Sequence, residues 1–433
     1  LFVPLILKLE SSLSTSIEIP SCNRIKMASL KTGTFKVKEG YMCRVNSAKP
    51  KRIIISFDGT GGEPGWAVQT READGTVSPN AGGLSNVCKL HLVAGGNIGN
   101  THSEFENQIP IYYSGVGTRG WKIVAGLKSA LGFGAMYDIY TMAYEDVKKI
   151  YKEGDEIFIF GFSRGAATAR LFASYLGKAK LNGLEPNIAF LGVFDTVVES
   201  TFSGFSENIK HVDVDGVNTS LPEYVKRAVH FVSIDEDRSP FKPTLFNKDP
   251  KVTEVWCPGI HSDIGGGYYY DGLSDNTLKL MQMEAEKAGL VTREITADLC
   301  QNSHHTIVSR DKQLPGGGLR AFDKDMKIEP DATDPDTHNE RSLMYAPLNL
   351  LAGFFTHRSM HIVEGDKPTK EPILLLDSTL ERIEKWQPKT GFEPASRNMS
   401  YENGKYFPKN LVGVSYKIVS SEDMSVSDTI HKG

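Results

Sequence analysis

The chain has 433 residues, of which 40% are hydrophobic and 24% charged, and this balance excludes a wholly disordered protein. Its 49 basic and 53 acidic residues give a formal net charge of −4, so it lacks the excess of Lys and Arg that non-specific nucleic-acid binding requires. No apolar run approaches the ~18 residues that a membrane-spanning helix needs. We therefore expect a soluble globular protein that binds no nucleic acid.

The pattern along the chain predicts three segments. Leu1 is not an initiator residue and Met27 is the first methionine, so we expect residues 1–26 to lie outside the natural product, with no convincing signal peptide. After residue 300 the pattern weakens into a long Gly- and Pro-rich stretch, which in a compact domain usually serves a site. The predicted segments are a partly non-native or disordered N-terminal extension (1–48), a catalytic core (49–290) and a C-terminal extension that acts as a lid or substrate-binding region (291–433).

Strands and helices alternate through the predicted core. Arg52–Phe57 is apolar and β-branched, which predicts a buried strand ending in a tight turn. From Met136 until Gly154 the apolar residues follow helical spacing. Alternating elements of this kind predict an α/β fold with a mostly parallel sheet covered on both faces. The other predicted strands are Ile109–Ser114, Ile157–Phe160, Ile188–Phe194, Val229–Ile234 and, as the last, Val252–Trp256, and the other predicted helices are Ala166–Leu176 and Ser274–Ala288.

The sequence Gly161-Phe-Ser163-Arg-Gly165 stands between a predicted strand and a predicted helix. A G-x-S-x-G pattern in this context is typical of a nucleophile elbow, in which serine is exposed on a sharp turn. Glycine on either side avoids the collisions that a side chain would cause in such a turn. The sequence therefore predicts Ser163 as a nucleophile and the backbone N–H of Arg164 as an oxyanion donor, with an incidental Gly-rich turn as the alternative.

The sequence Gly115-Val-Gly117-Thr-Arg-Gly120 matches the dinucleotide-binding fingerprint and follows a predicted strand. Asp138 lies near the expected acidic position. However, Gly126 and β-branched residues occupy the place where a strong helix should begin, and no strand precedes Asp138. We therefore favour a Gly-rich turn and expect no cofactor.

The sequence Phe57-Asp58-Gly-Thr60 resembles the start of haloacid-dehalogenase-type phosphatases. Those enzymes need a second carboxylate two residues before the aspartate, and here that position is Ser56. Without it the site loses much of the charge that holds Mg²⁺, so we expect no metal. As a turn after an early strand, this segment instead suits an oxyanion hole with the N–H of Gly59 or Thr60 as a donor.

A serine nucleophile needs a base and an orienting acid, and in the α/β-hydrolase order the acid follows the serine and the histidine comes last. His261 follows the last predicted strand and is the predicted base. Asp195 and Asp235 each close a predicted strand after the nucleophile, and common α/β-hydrolase practice favours the later one. Asp195, however, stands among apolar residues, where an unpaired carboxylate would be costly to desolvate. We therefore favour Asp195 as the acid and keep Asp235 as the alternative.

Several long motifs resemble, in the same order, the α/β-hydrolase family called domain of unknown function 2235. This family includes the first class of type VI secretion lipase effectors, which are phospholipases. The resemblance implies an α/β-hydrolase-like fold with Ser163 as nucleophile, His261 as base and Asp195 as acid. The matching motifs are Ile54-Ile-Ser-Phe-Asp-Gly-Thr60, Tyr113-Ser-Gly-Val-Gly-Thr118, Gly154-Asp-Glu-Ile-Phe-Ile-Phe-Gly-Phe-Ser-Arg-Gly-Ala166, Leu191-Gly-Val-Phe-Asp-Thr-Val197, Val255-Trp-Cys-Pro-Gly-Ile-His-Ser-Asp-Ile-Gly-Gly-Gly-Tyr268 and Leu273-Ser-Asp-Asn276.

We therefore expect a serine hydrolase of carboxylic esters, of the lipase or phospholipase type, that uses a Ser-His-Asp triad without cofactor or metal. The alternatives are an esterase for small soluble esters and a non-catalytic or regulatory binding protein on the hydrolase scaffold. The expected partners are a lipid or small ester substrate and, transiently, a membrane surface. The resemblance implies a protein made in the cytoplasm, with delivery by a secretion system as a further expectation.

Overall fold

The structure is a computed structural model of the chain. Within its described residues, no helix is both long and apolar enough to cross a membrane. The predictions for residues 1–26 and for the turn from residue 116 to Gly120 lie outside the described residues. The described residues are 32–37, 41–46, 49–60, 82–96, 105–115, 133–198, 220–238, 241–269, 271–294, 308–309, 312–313, 328–333, 358–387, 399–402 and 405–433.

The described strands begin with a hairpin in the predicted N-terminal extension and continue almost to the last residue. In chain order they are β1 (Thr32–Val37), β2 (Tyr41–Asn46), β3 (Arg52–Phe57), β4 (Gly82–Ser85), β5 (Gln108–Tyr113), β6 (Glu156–Phe162), β7 (Ile188–Phe194), β8 (Ala228–Ser233), β9 (Val252–Cys257), β10 (Gly266–Tyr268), β11 (Val308–Ser309), β12 (Lys312–Gln313), β13 (Val363–Glu364), β14 (Lys367–Pro368), β15 (Ile373–Leu376), β16 (Met399–Glu402), β17 (Lys405–Pro408), β18 (Ser415–Val419) and β19 (His431–Lys432). The described helices are α1 (Asn86–Val93), α2 (Phe133–Ile150), α3 (Arg164–Ala179), α4 (His261–Gly265), α5 (Gly272–Lys287) and α6 (Asp377–Lys385), with a 3₁₀ turn at Lys409–Leu411.

One sheet of nine strands organises the molecule, in the order β19-β18-β15-β9-β8-β7-β6-β3-β5. Neighbouring strands in it are parallel except for the β18–β19 pair. Helices cover both faces of this sheet, so the predicted α/β-hydrolase-like fold class is confirmed.

The core lies on both faces of the sheet because successive residues of a strand point to opposite sides. Ile53 and Ile55 of β3 pack in the cluster that includes α2 and α3, whereas Ile54 packs in the cluster that includes α1 and α5. All three are 0% exposed. Burying an isoleucine side chain is worth about 1.5–3 kcal/mol, which explains why these strands are apolar without alternation.

The strand order reverses beside β3. The chain runs from β3 outward to β5 and then returns to β6 on the other side of β3. In an open α/β sheet, ligands bind at such a switch point, in the crevice outside the carboxyl ends of the strands. The turn Asp58-Gly-Thr60 follows β3 and Ser163 follows β6, so both lie at this crevice.

The sheet does not end at β9, which the sequence predicts as the last strand. Residues Ile373–Leu376 form β15, which pairs in parallel with β9, and β18 pairs in parallel with β15. The four-residue apolar run before Asp377 resembles the apolar runs that precede aspartates in the core strands. A run this short does not distinguish a strand from other kinds of buried segment. Strands of the predicted C-terminal extension therefore complete the central sheet.

Several helix boundaries differ from the predictions by a few residues, and the contacts explain two of these differences. Helix α5 begins at Gly272, two residues before the predicted cap Ser274, whose hydroxyl donates to the carbonyl oxygen of Asp271 at 3.0 Å. Helix α3 continues past Gly177, where the prediction ended it. A Cβ at this position would lie 2.0 Å from the Tyr224 ring, so the glycine allows close packing and does not terminate the helix.

Candidate active site

Ser163 stands on a strained turn between β6 and α3. Its φ of 58° and ψ of −123° belong to a region that residues other than glycine seldom adopt. A Cβ on Gly161 would lie 2.5 Å from the carbonyl oxygen of Gly165, and a Cβ on Gly165 would lie 2.3 Å from the carbonyl oxygen of Asp58. Only glycine therefore lets α3 start against the end of β3. Arg164 is the first residue of α3, where backbone N–H groups favour negative charge.

The segment that carries Asp195 is hydrogen-bonded to this turn on both sides. The N–H of Ser163 donates to the carbonyl oxygen of Phe194 at 3.0 Å, and the N–H of Val197 donates to the carbonyl oxygen of Ser163 at 3.3 Å. Asp195 itself has a positive φ of 36°, which is a second strained position. Because β6 and β7 are parallel neighbours, the two strained residues lie at the same edge of the sheet.

His261 reaches this edge from the start of α4. Its ring lies 4.7 Å from the ring of Phe162, which precedes Ser163, and 4.9 Å from the ring of Phe241. Its Nδ1 lies 2.6 Å from Oδ2 of Asp195. An ionised carboxylate only accepts hydrogen bonds, so Nδ1 carries the hydrogen and Nε2 is left as the basic nitrogen. The structure thus brings together the predicted base, the favoured acid and the turn that carries the predicted nucleophile.

The carboxylate of Asp195 is 0% exposed and is satisfied on both oxygens. Oδ1 accepts from Nη1 of Arg358 at 2.7 Å and from the N–H of Ser233 at 3.1 Å. Oδ2 accepts from Nη2 of Arg358 at 2.9 Å as well as from His261. Burial alone would raise the pKa of Asp195, but the charge of Arg358 and these hydrogen bonds outweigh burial and hold the pKa well below its usual range.

Asp235, the alternative acid, faces a different set of partners. Its Oδ2 accepts from the N–H of Gly259 at 2.7 Å and from the hydroxyl of Tyr406 at 2.6 Å. Burial raises its pKa to about 7, against the lowering effect of those hydrogen bonds. Its bonded carboxylate oxygen therefore holds the loop that precedes His261, whereas the imidazole is bonded to Asp195.

The turn after β3 holds the remaining predicted site residues. Oδ1 of Asp58 accepts from the N–H of Gly59 at 2.7 Å, and Oδ2 accepts from the hydroxyls of Ser85, at 2.7 Å, and Tyr112. Burial raises the pKa of Asp58, against these hydrogen bonds. Gly59 thus directs its N–H to a carboxylate, while Thr60 is exposed at the turn.

Sequence reasoning missed Arg358. The cost of burying Asp195 indicated a charged or strongly hydrogen-bonding partner, but nothing in the local pattern around residue 358 identifies that partner. The pair is separated by 163 residues and forms only when the chain folds.

A family model described as "T6SS, Phospholipase effector Tle1-like, catalytic domain" matches residues 51–183 and 177–284 of the chain. These two matches cover more than half of the chain and include Ser163, Asp195, Asp235 and His261. Arg358 lies outside them.

A relative in Saccharomyces cerevisiae, "Uncharacterized protein YEL023C", is 26% identical over an alignment of 258 positions that covers 49% of this chain and 35% of that protein. The matched region thus spans about a third of the length of this relative. Among solved structures, a Tle1 effector bound to the VgrG spike of the type VI secretion system gives a TM-score of 0.40 at 17% identity, over 62% of this chain and 82% of that one. The RedJ thioesterase of the prodiginine pathway in Streptomyces coelicolor gives a TM-score of 0.29 at 14% identity, over 55% and 91%.

Proposed function

The chain belongs to the family of Tle1-like catalytic domains of type VI secretion phospholipase effectors, and from that premise we propose that it is a serine hydrolase that cleaves a carboxylic ester of a phospholipid. The observation that carries the proposal is the buried 2.6 Å hydrogen bond between Nδ1 of His261 and Oδ2 of Asp195, next to the turn of Ser163. A histidine oriented by a carboxylate beside a strained serine is the arrangement that acyl transfer to serine requires.

In the proposed reaction Ser163 Oγ attacks the ester carbonyl carbon while Nε2 of His261 accepts the hydroxyl proton. The tetrahedral intermediate collapses, the bond from carbon to the leaving oxygen breaks, and the imidazolium returns the proton to that oxygen. Water, deprotonated by His261, then attacks the acyl carbon. The bond from that carbon to Ser163 Oγ breaks, the imidazolium returns the proton to Oγ, and the carboxylic acid leaves. Asp195 holds the tautomer and stabilises the imidazolium throughout.

We assign stabilisation of the oxyanion to two hydrogen-bond donors, the backbone N–H of Arg164 and a backbone N–H from the turn after β3. Of the two predicted donors in that turn, the N–H of Gly59 lies 2.7 Å from Oδ1 of Asp58, which favours Thr60 as the second donor. The tight contact of Gly165 with the Asp58 backbone supports this assignment, because it places the start of α3 against the turn. Removing one such donor typically slows acyl transfer by about 10²–10³-fold.

The proposed phospholipid substrate is supported by the description of the matching family. Within the predicted C-terminal extension, the Gly- and Pro-rich stretch of residues 302–355 lies largely outside the described residues. Kinetic assays distinguish a phospholipid from a small soluble ester. Hydrolysis of phospholipid vesicles at a kcat/KM well above that for a soluble butyrate ester would support the phospholipid, and the reverse order would favour a soluble-ester esterase.

Replacing the nucleophile tests the chemistry itself. Ser163→Ala should lower kcat by about 10³-fold or more, because only the oxyanion donors and substrate binding remain. It should also abolish labelling by a fluorophosphonate probe. Ser174→Ala, a change of a buried serine on the same helix, is the matched control and should keep both signals. An intact, folded Ser163→Ala protein with near wild-type turnover would overturn the proposal, as would a wild-type protein that the probe does not label.

A further inference from the structure

Arg358 is a buried arginine that comes from outside the region matched by the family model. It is 5% exposed, and its guanidinium contacts the ends of strands in the catalytic core. Besides the two bonds to Asp195, Nη1 donates to the carbonyl oxygen of Ser233 at 2.9 Å and Nη2 donates to that of Phe241. Its own carbonyl oxygen accepts from Nδ2 of Asn410 at 3.3 Å. The guanidinium is therefore held in place from several sides.

The geometry of the Asp195–Arg358 pair fixes the carboxylate rather than merely neutralising it. Two parallel N–H···O bonds of 2.7 and 2.9 Å match the planar fork of a guanidinium to the planar carboxylate. Oδ2 is shared, because it accepts from both Arg358 and Nδ1 of His261. Any rotation of the carboxylate that weakened the arginine bonds would also move the oxygen that orients the imidazole.

Two carboxylates accept hydrogen bonds from His261. Glu236 accepts from the backbone N–H of His261 at 3.3 Å, and its carboxylate is held by Arg238 with contacts of 2.8 and 2.7 Å. Both carboxylates that touch His261 therefore carry a guanidinium partner. Asp195 after β7 and Glu236 after β8 interact with His261 directly, and Arg358 and Arg238 pair with them. Cys257 of β9 interacts electrostatically with Asp195, and Asp263 lies two residues after His261 on α4.

We propose that Arg358 is a positioning residue of the active site, which fixes the Asp195 carboxylate toward His261. The inference rests on the proposed serine hydrolase and adds to it a residue from the C-terminal segment. The segment beyond the family match thus completes the catalytic centre.

The pH profile of kcat/KM tests this role. Arg358→Gln removes the charge that balances Asp195, so the acid limb should move to higher pH. The kcat should fall by about 10-fold or more, because the carboxylate is no longer held, while KM changes little. Arg358→Lys keeps the charge but loses the fork, so its acid limb should stay near that of the wild type while kcat falls.

Arg382→Gln is the matched control, since Arg382 is a 0% exposed arginine of the same C-terminal segment that packs on Trp386 and Tyr406. It should lower Tm without moving the acid limb. A folded Arg358→Gln protein with an unshifted acid limb would overturn the inference. If that variant does not fold, wild-type kcat in Arg358→Lys would overturn it instead. Failure of the proposed function is distinguishable, because the wild type would then show neither hydrolysis nor fluorophosphonate labelling.

Discussion

Asp195 and Asp235 end neighbouring parallel strands, and both are 0% exposed, but only Asp195 is paired with a guanidinium. Its charge is therefore compensated and its pKa is held low by Arg358 against the effect of burial. Asp235 has two neutral donors instead, and burial raises its pKa to about 7. One carboxyl group is thus suited to stabilising an imidazolium, and the other to holding a loop.

Asparagine substitutions should separate the two aspartates. Asp195→Asn should lower kcat by up to ~10⁴-fold, because the imidazole loses the acceptor that orients its tautomer. Asp235→Asn should stay within about 10-fold of the wild type, since an amide oxygen still accepts from Gly259 and Tyr406 and resembles the protonated acid. The measurement is kcat at pH 7 on variants whose circular dichroism matches the wild type. A folded, active Asp195→Asn protein beside a folded, inactive Asp235→Asn protein would reverse the assignment.

At the scale of elements, the elbow depends on the contact between α3 and the end of β3. Gly165 lies so close to the β3 turn that a Cβ would be 2.3 Å from the carbonyl oxygens of both Phe57 and Asp58. Backbone atoms cannot move aside as a flexible side chain can, so a larger residue would separate the helix from the strand. The same contact brings the N–H of Arg164 near the predicted oxyanion donors of the turn.

Gly165→Ala should therefore destabilise the fold by about 3 kcal/mol or more and lower kcat sharply in whatever protein remains folded. Gly183→Ala is the matched control, because Gly183 has a φ of +85° but nothing within 4 Å of its added Cβ. That variant should lose only about 1 kcal/mol, the cost of a positive φ, and keep full activity. Urea unfolding and kcat of both variants provide the comparison. Equal losses in the two proteins would show that the elbow contact has no special cost.

At the scale of the whole molecule, the C-terminal segment belongs to the central sheet. Leu374 and Leu375 of β15 lie opposite Val255 and Trp256 of β9, and Trp256 is 1% exposed. A separate core cluster joins residues of β8 and β9 with residues of β15 and β18. Without this segment, the apolar edge of β9 would be uncovered and Asp195 would lose Arg358.

A chain that ends at residue 294 should therefore aggregate on expression and show no fluorophosphonate labelling. A chain that ends at residue 429 lacks only Ile430, the two-residue edge strand β19 and the final glycine, and should stay soluble and active. Size-exclusion chromatography and probe labelling of the two truncations decide the point. A monomeric, active chain that ends at residue 294 would show that the core folds and works without β15, β18 and Arg358.

Local sequence accounts for the parts of this protein that depend on short-range geometry. The glycines around Ser163, the apolar run before them and the helix after them predicted the elbow, because a strained turn admits few residue types. The predicted strands Arg52–Phe57 and Ile188–Phe194 have the bounds observed for β3 and β7. Buried parallel strands are readable because both of their faces must be apolar.

The contacts between distant residues were decided only by the tertiary structure. Whether Asp195 or Asp235 meets His261 depends on which strand end faces the α4 loop, and both candidates have the same side chain and the same place after a strand. The joining of β15 to β9 and the approach of Arg358 to Asp195 depend on residues more than 100 positions apart in the chain. A sequence pattern reports local propensity and period, whereas the charge that compensates a buried carboxylate can come from any part of a folded chain.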